Sequence, residues 1–113
     1  MIKKPVKKTD RELFSLIEKK INQKEYIFLN HAQKRQLERG ISDLDVLNIL
    51  GGKSGYGRIR NKKKDVCEPF SLNDSPEDWK YCIEGKDIDG KKIRIIITFS
   101  DNYMPIITVI NIH

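Results

Sequence analysis

Residues 92–112 read KIRIIITFSDNYMPIITVINI, a stretch dominated by β-branched side chains. Such side chains favour extended backbone, and the polar break at residues 100–102 divides the stretch into strands over 92–100 and 104–112. Alternation along the first strand places four large apolar side chains on one face: Ile93, Ile95, Ile97 and Phe99. We therefore predict an antiparallel pair of strands whose apolar face packs against the rest of the chain.

The residues before this stretch are predicted to enlarge the sheet. Asp89-Gly90 is typical of a type I′ hairpin turn, in which both central residues have positive φ, so strand 79–86 is expected to pair with strand 92–100. Residues 56–60 are predicted as a further strand, and an irregular connection follows over residues 62–78. The predicted sheet is an antiparallel meander.

The first half of the chain has the periodicity of helices instead. A helix is predicted to begin near Thr9 or Asp10, where a capping side chain precedes the first turn. Its apolar side chains repeat at intervals of three and four residues: Leu13, Leu16, Ile17 and Ile21. This spacing places them on one face of the helix, which is predicted to pack on the core.

Two shorter helices are predicted to follow. The second spans His31 to about Arg39, with Asn30 and Gln33 as a capping box and Gly40 as a left-handed terminator. The third begins at residue 42 and ends at residues 51–52. The predicted fold class is therefore α+β, with N-terminal helices packed on one face of a small antiparallel β-sheet.

The length of 113 residues indicates one domain. Residues 1–8 are predicted to form a flexible basic arm, and residues 9–113 a single domain. The 22 Lys and Arg residues exceed the 16 Asp and Glu residues, so the net charge of +6 favours polyanionic or acidic partners. The apolar runs are far shorter than the roughly 20 residues that span a bilayer, and no secretion signal precedes them. We therefore expect a cytoplasmic protein without membrane contact.

The remaining sequence excludes several classes of site. Cys67 and Cys82 lack the spacing of a zinc site or a disulfide framework, so we predict reduced thiols and no bound metal. The glycines over 51–57 lack the pattern of a nucleotide-binding phosphate loop, so nucleotide hydrolysis is not expected. We predict no cofactor.

His31, Arg35 and Arg39 lie at intervals of four residues and should form one stripe along a helix. Two guanidinium groups can hold a phosphodiester while an imidazole transfers a proton. The alternative interpretation is a solvated helix face in which the arginines pair with acidic side chains.

Other residues are candidate RNA contacts. Tyr56, Arg58 and Arg60 alternate along a predicted strand and offer an aromatic ring with two cations; the alternative is a charged edge strand that deters pairing. A triplet of lysines adds attraction to phosphates: Lys62, Lys63 and Lys64. Glu84 is a candidate general base if it faces the Arg35 stripe, and otherwise pairs with a nearby Lys or Arg.

The His31-xxx-Arg35-xxx-Arg39-Gly-Ile pattern, followed by a β-hairpin and a terminal strand of Ile, Val and Thr, resembles a family of small bacterial toxin-like proteins of unknown function. The resemblance covers residues 26–112 and extends to BrnT-type and RelE-type toxins, which pack helices on one face of a small antiparallel sheet. It implies metal-independent RNA cleavage with the ribose 2′-hydroxyl as nucleophile. It also implies an antitoxin partner, for which a YgiT-type zinc-finger protein is a candidate.

The leading hypothesis is the toxin of a type II toxin–antitoxin pair, acting as an endoribonuclease on RNA, with ribosome-bound mRNA as one candidate substrate. His31, Arg35 and Arg39 match the family's helix motif. Local context adds Tyr81 and Glu84 to the catalytic candidates, and Arg94 to the RNA contacts. The alternative hypothesis is a non-catalytic basic module that binds RNA or an acidic partner protein.

Overall fold

The computed structural model describes residues 6–67, 78–100 and 102–112. Three helices are present: α1 (Asp10–Asn22), α2 (Asn30–Arg39) and α3 (Asp43–Leu50). Five strands form one sheet: β1 (Tyr26–Phe28), β2 (Ile59–Arg60), β3 (Tyr81–Lys86), β4 (Lys92–Ile97) and β5 (Met104–Asn111). The α+β class, with helices in the first half of the chain and most of the sheet in the second half, is confirmed.

The helix ends follow local capping chemistry, with one exception. Thr9 caps α1 in a reciprocal capping box with Glu12, and Ser42 caps α3 through the backbone N–H of residue 45. Gly40 ends α2 with a φ of 67°, a conformation that glycine adopts without steric cost. These predictions are confirmed.

The predicted capping box at Asn30 and Gln33 is wrong. The N-cap of α2 is Leu29, which makes no side-chain cap hydrogen bond, and Asn30 is already helical. The backbone N–H of Leu29 donates to the carbonyl of Ile106, and the side chain of Gln33 donates to the carbonyl of Phe28 at 3.1 Å. The helix therefore begins one residue earlier, because its entry is tied to the sheet.

The sheet has the order β1-β5-β4-β3-β2. Strands β2 to β5 form the predicted antiparallel meander. The difference lies at the other edge, where the chain between α1 and α2 forms β1 and pairs parallel to β5, with Tyr26 opposite Met104 and Phe28 opposite Ile106. The sheet is thus mixed, and α2 packs directly on β5 because β1 delivers the chain to that edge.

The hairpin between β3 and β4 is confirmed, but its predicted type I′ turn is wrong. Gly90 has a φ of 83°, whereas Asp89 is not among the described residues with positive φ. The N–H of Gly90 donates to the carbonyl of Asp87, and the carboxylate of Asp87 accepts from the N–H groups of residues 89 and 91. The Asp87 side chain thus organises a longer turn while the strand register is kept.

One core lies between the helices and a single face of the sheet, here called the inner face. Its buried side chains come from α1, α3 and alternate positions of the strands, and the largest include Leu13, Ile17, Ile49, Tyr81, Ile83, Ile95 and Ile106. The predicted inward face of β4 is confirmed. The opposite face, here called the outer face, carries the intervening residues of the strands, and no described helix covers it.

Two segments predicted from the sequence lie partly outside the described residues. Residues 1–5 of the predicted arm and residues 68–77 of the predicted connection belong to this group. Lys7 and Lys8 contact the domain: Lys7 pairs with Asp65, and Lys8 pairs with Asp78. Within the connection, residues 62–64 form a short 3₁₀ turn.

Candidate functional site

The stripe of His31, Arg35 and Arg39 lies on the solvent side of α2, as its spacing predicts. The opposite side of the helix is buried through Ala32 and Gln36. Arg35 makes an exposed ion pair with a carboxylate one turn along the helix at 3.6 Å, as the solvated-face interpretation expects. Within the described parts of the chain, His31 and Arg39 make no hydrogen bond or ion pair.

The five catalytic candidates do not converge. Tyr81 is fully buried on the inner face, whereas Glu84 lies on the outer face, because the two residues are three positions apart along β3 and side chains alternate. The α2 stripe belongs to the helical layer beyond the inner face. Glu84 therefore does not face the Arg35 stripe.

Tyr81 is held as a protonated structural phenol. Its hydroxyl donates to Asp78 at 2.8 Å and accepts from the backbone N–H of Lys8 at 3.2 Å. Burial, with the Asp78 carboxylate, raises the pKa of the Tyr81 phenol far above its ordinary value. A group with that pKa and no exposure is unsuited to proton transfer with a substrate.

Glu84 and Arg94 form the most developed polar centre of the outer face. They are opposite each other on β3 and β4, and Arg94 Nε donates to Glu84 Oε2 at 2.8 Å. Asn61 Nδ2 donates to the same oxygen at 3.1 Å. The ion-pair interpretation of Glu84 is confirmed.

Both members of this pair have polar atoms without a described protein partner. The three described polar partners of Glu84, which are Arg94, Asn61 and the Cys82 thiol, all use Oε2, so Oε1 remains available as an acceptor within the described residues. Arg94 uses Nε, which leaves its two terminal nitrogens without a described protein partner. The side chains of Glu84 and Arg94 are 14% and 25% exposed, so both are reachable from solvent.

The protonation state of Glu84 follows from these contacts. Burial raises the pKa of the carboxyl group, but the hydrogen bonds from Arg94 and Asn61 and the positive charge of Arg94 outweigh it. The net pKa of Glu84 lies below its ordinary value. Glu84 is therefore a carboxylate at neutral pH and can accept a proton.

A cavity of about 290 Å³ opens over this pair on the outer face. It is lined by Gly57, Ile59, Glu84, Gly85, Lys86, Lys92, Arg94 and Ile112. The two lysines are opposite each other in the register, two residues along from the Glu84–Arg94 pair. Neither lysine is among the candidates predicted from the sequence, although the alternation of β3 and β4 across the predicted hairpin places them on the same face.

The strand predicted over residues 56–60 is shorter than predicted. The two arginines of this segment make contacts within the fold. Arg58 lies 4.0 Å from the Phe14 ring centre and donates to the carbonyl of residue 50 at 2.9 Å. Arg60 donates twice to Asp65, at 3.1 and 2.9 Å, and its side chain is 2% exposed. The hydroxyl of Tyr56 accepts from an amide of α3. These three RNA-contact candidates are thus engaged by the protein itself.

Lys62, Lys63 and Lys64 are exposed on the 3₁₀ turn. Lys62 lies 3.4 Å from the carboxylate of Asp10 in an exposed contact. The triplet follows β2 in the chain, so its charges add to the positive potential at that edge of the sheet.

Both cysteines are free and buried. Burial, with the nearby Glu84 carboxylate, raises the pKa of the Cys82 thiol to about 11. A protonated, inaccessible thiol is not a nucleophile.

Within the described residues, no group of three or more His, Cys, Asp or Glu side chains has a metal-binding arrangement. No helix in the same part of the chain is long and apolar enough to cross a membrane.

Comparison with known proteins identifies a family. The sequence profile of a domain of unknown function, DUF4258, matches residues 28–111. No curated protein and no solved structure matches the chain. The match spans α2, α3 and strands β2 to β5, and therefore includes both the α2 stripe and the outer-face pair.

Proposed function

This chain belongs to the DUF4258 family, and we propose that it is a metal-independent endoribonuclease that acts as the toxin of a type II toxin–antitoxin pair. Its site is the outer face, with Glu84 as general base and Arg94 as the phosphate-binding group. Its substrate is cytoplasmic RNA, and its second partner is an antitoxin. The observation that carries the proposal is the Glu84–Arg94 pair beneath an open cavity flanked by lysines.

The free atoms of the pair support this assignment of roles. The terminal nitrogens of Arg94 offer a planar fork of donors, which suits two oxygens of one phosphodiester. Oε1 of Glu84 offers an acceptor next to that fork. A ribose 2′-hydroxyl beside a phosphate bound by Arg94 therefore lies near a base.

The reaction that fits these roles is internal transesterification. Glu84 Oε1 accepts the proton of the 2′-hydroxyl while the 2′-oxygen forms a bond to phosphorus. The bond from phosphorus to the 5′-oxygen breaks, and the leaving oxygen takes a proton from water in the open cavity. The products are a 2′,3′-cyclic phosphate and a 5′-hydroxyl, and Glu84 returns its proton to solvent.

Substrate binding also changes the basicity of Glu84. In the free protein, Arg94 holds the carboxylate ionised and weakly basic. A phosphate bound to Arg94 supplies a second negative charge and competes for the guanidinium, which raises the pKa of the carboxyl group. The base thus becomes stronger when the substrate is present.

The binding-only hypothesis uses the same surface without the reaction. A net charge of +6 and the lysines of the outer face favour RNA in either case. The two hypotheses differ at Glu84, since a carboxylate repels phosphate and weakens binding unless it has a chemical role. Loss of Glu84 should therefore abolish activity in a nuclease but strengthen RNA binding in a binding module.

The test compares wild-type protein with Glu84→Gln and Arg94→Gln on a labelled single-stranded RNA without added metal. General-base and phosphate-stabilising roles predict that each variant cleaves about 100-fold more slowly or less. The control is Arg11→Gln with Glu38→Gln, which removes one charge of each sign from exposed helical positions. The control should cleave like wild type.

Growth of a bacterial host gives the second readout. Wild-type protein should arrest growth, and the Glu84→Gln variant at equal expression should not. Wild-type protein that binds RNA without cleaving it, together with harmless expression, would overturn the nuclease proposal in favour of the binding module.

A further inference from the structure

We propose that the Lys86–Lys92 pair binds a second phosphate, so that the outer face takes a single RNA strand along β3 and β4 towards the Asp89-Gly90 turn. This inference rests on the proposed function, because it assumes that the Glu84–Arg94 pair receives the first phosphate. The lysine pair would then bind the phosphate of the neighbouring nucleotide, and the RNA strand would run parallel to β3 and β4.

The register places the two pairs in line. Glu84 is opposite Arg94, and Lys86 is opposite Lys92 on the same face of the sheet. Two residues along a strand span about 7 Å, so the charged pairs are separated by about that distance. All four side chains line one cavity. A polyanion that enters the cavity therefore meets two cationic positions in succession.

The lysine pair has no evident role in folding. Like charges directly opposite each other on a sheet are destabilising. Within the described residues, neither Lys86 nor Lys92 has an ion pair that would offset this repulsion, and both are exposed. An anion between the two ammonium groups would relieve the repulsion, and a phosphate has the charge and the acceptor oxygens to do so.

The walls of the cavity favour an extended strand. Ile59 on β2 and Ile112 beyond β5 flank the charged pairs on either side. Gly57 adds no side chain above the floor between them. The open part of the cavity therefore runs along β3 and β4 rather than across the sheet.

The experiment measures RNA binding separately from cleavage. The probe is a fluorescent single-stranded RNA of about 12 nucleotides, fully 2′-O-methylated so that no 2′-hydroxyl can react. Fluorescence anisotropy gives its dissociation constant at several salt concentrations. The test variant is Lys86→Gln with Lys92→Gln, and the matched control is Lys19→Gln with Lys34→Gln, two exposed lysines on helices.

The expected result is a loss of affinity of about 10-fold in the test variant and less than about 3-fold in the control. The slope of log affinity against log salt should also decrease by about 0.7, because the variant neutralises one phosphate fewer. The single variants Lys86→Gln and Lys92→Gln should each show an intermediate loss. Equal losses in the test and control variants, or no binding by wild-type protein, would overturn the inference.

The outcomes separate this inference from the nuclease proposal. Wild-type cleavage of unmodified RNA with unchanged affinity in the lysine variant would leave the nuclease proposal intact and remove the second phosphate site. Selective loss of affinity in a protein that cleaves no RNA would do the reverse. Urea unfolding checks that the lysine variant is folded, and relief of the repulsion predicts a midpoint no lower than that of wild type.

Discussion

Asp65 and Arg60 form a buried ion pair at the edge of the sheet where β2 ends. Asp65 Oδ2 lies 2.9 Å from an Arg60 terminal nitrogen, and the two side chains are 0% and 2% exposed. The other oxygen of Asp65 accepts the backbone N–H of Cys82 at 2.9 Å. The carboxylate therefore takes the place of a strand partner for β3 and neutralises a buried guanidinium.

Asp65→Asn should lower the free energy of unfolding by about 3 kcal/mol, because it leaves Arg60 buried without its full counter-charge. Urea unfolding at neutral pH measures the change. Glu38→Gln is the control, since it removes an exposed pair with Arg35 and should cost less than about 1 kcal/mol. Equal losses in the two variants would contradict the structural role of Asp65.

Gly85→Ala should destabilise the fold by about 1–3 kcal/mol through overpacking. A Cβ at this position would lie 2.6 Å from Ile49 Cγ2 and 2.7 Å from the carbonyl oxygen of Tyr56, so α3 or the segment before β2 must shift. Thermal or urea unfolding measures the loss. Gly40→Ala is the comparison, because its Cβ meets nothing within 4 Å and only its positive φ opposes the change, at about 1 kcal/mol. A smaller loss at residue 85 than at residue 40 would contradict the close packing of α3 on β3.

The sequence predicted the elements whose signals are local. Alternation in β4, the start of α3 at Ser42 and the glycine end of α2 each depend on a few neighbouring residues, and each is confirmed. The strand Tyr26–Phe28 could not be assigned in the same way, since three residues carry no period. Its pairing with β5 joins segments about 80 residues apart, and no local pattern encodes that pairing.

In the candidate site, too, the sequence predicts what depends on local patterns and not what depends on tertiary packing. Alternation already implied that Tyr81 and Glu84 lie on opposite faces, and that Lys86 and Lys92 join Glu84. Sequence could not show that Arg60 is buried against Asp65, because a charged residue in a short strand usually faces solvent. Nor could it show which face of the sheet the helices leave open, since that depends on tertiary packing.

The ion pair of Glu84 should make stability depend on pH. Its pKa is lowered in the folded protein, so its stabilising contribution is complete above its ordinary pKa of 4.5 and is lost as the pH falls through the folded value. Wild-type protein should therefore exceed Glu84→Gln in free energy of unfolding at neutral pH, and the difference should shrink in acid. Urea titrations at about pH 7 and about pH 3 measure this difference in the free energy of unfolding. Glu38→Gln controls for the loss of one carboxylate; a difference that is constant with pH would contradict the ion-pair role.

The two candidate centres make opposite predictions for α2. If the outer face carries the reaction, the triple variant His31→Ala, Arg35→Ala, Arg39→Ala should keep a cleavage rate constant within about 5-fold of wild type at saturating RNA, because no atom of the stripe touches the reacting groups. Its affinity for RNA should decrease only through the lost long-range charge, an effect that salt screens within a Debye length of about 10 Å at 0.1 M. His31 and Arg39 are exposed and Arg35 is partly exposed, so the variant should fold.

Single-turnover cleavage separates the rate constant from binding, and Glu84→Gln in the same assay sets the level expected for loss of a reacting group. A triple variant as slow as Glu84→Gln, with unchanged RNA affinity and unfolding midpoint, would move the catalytic centre to α2. In that case, the Glu84–Arg94 pair would be a structural contact of β3 and β4, because the two sites lie in different layers of the fold and cannot act on one phosphate.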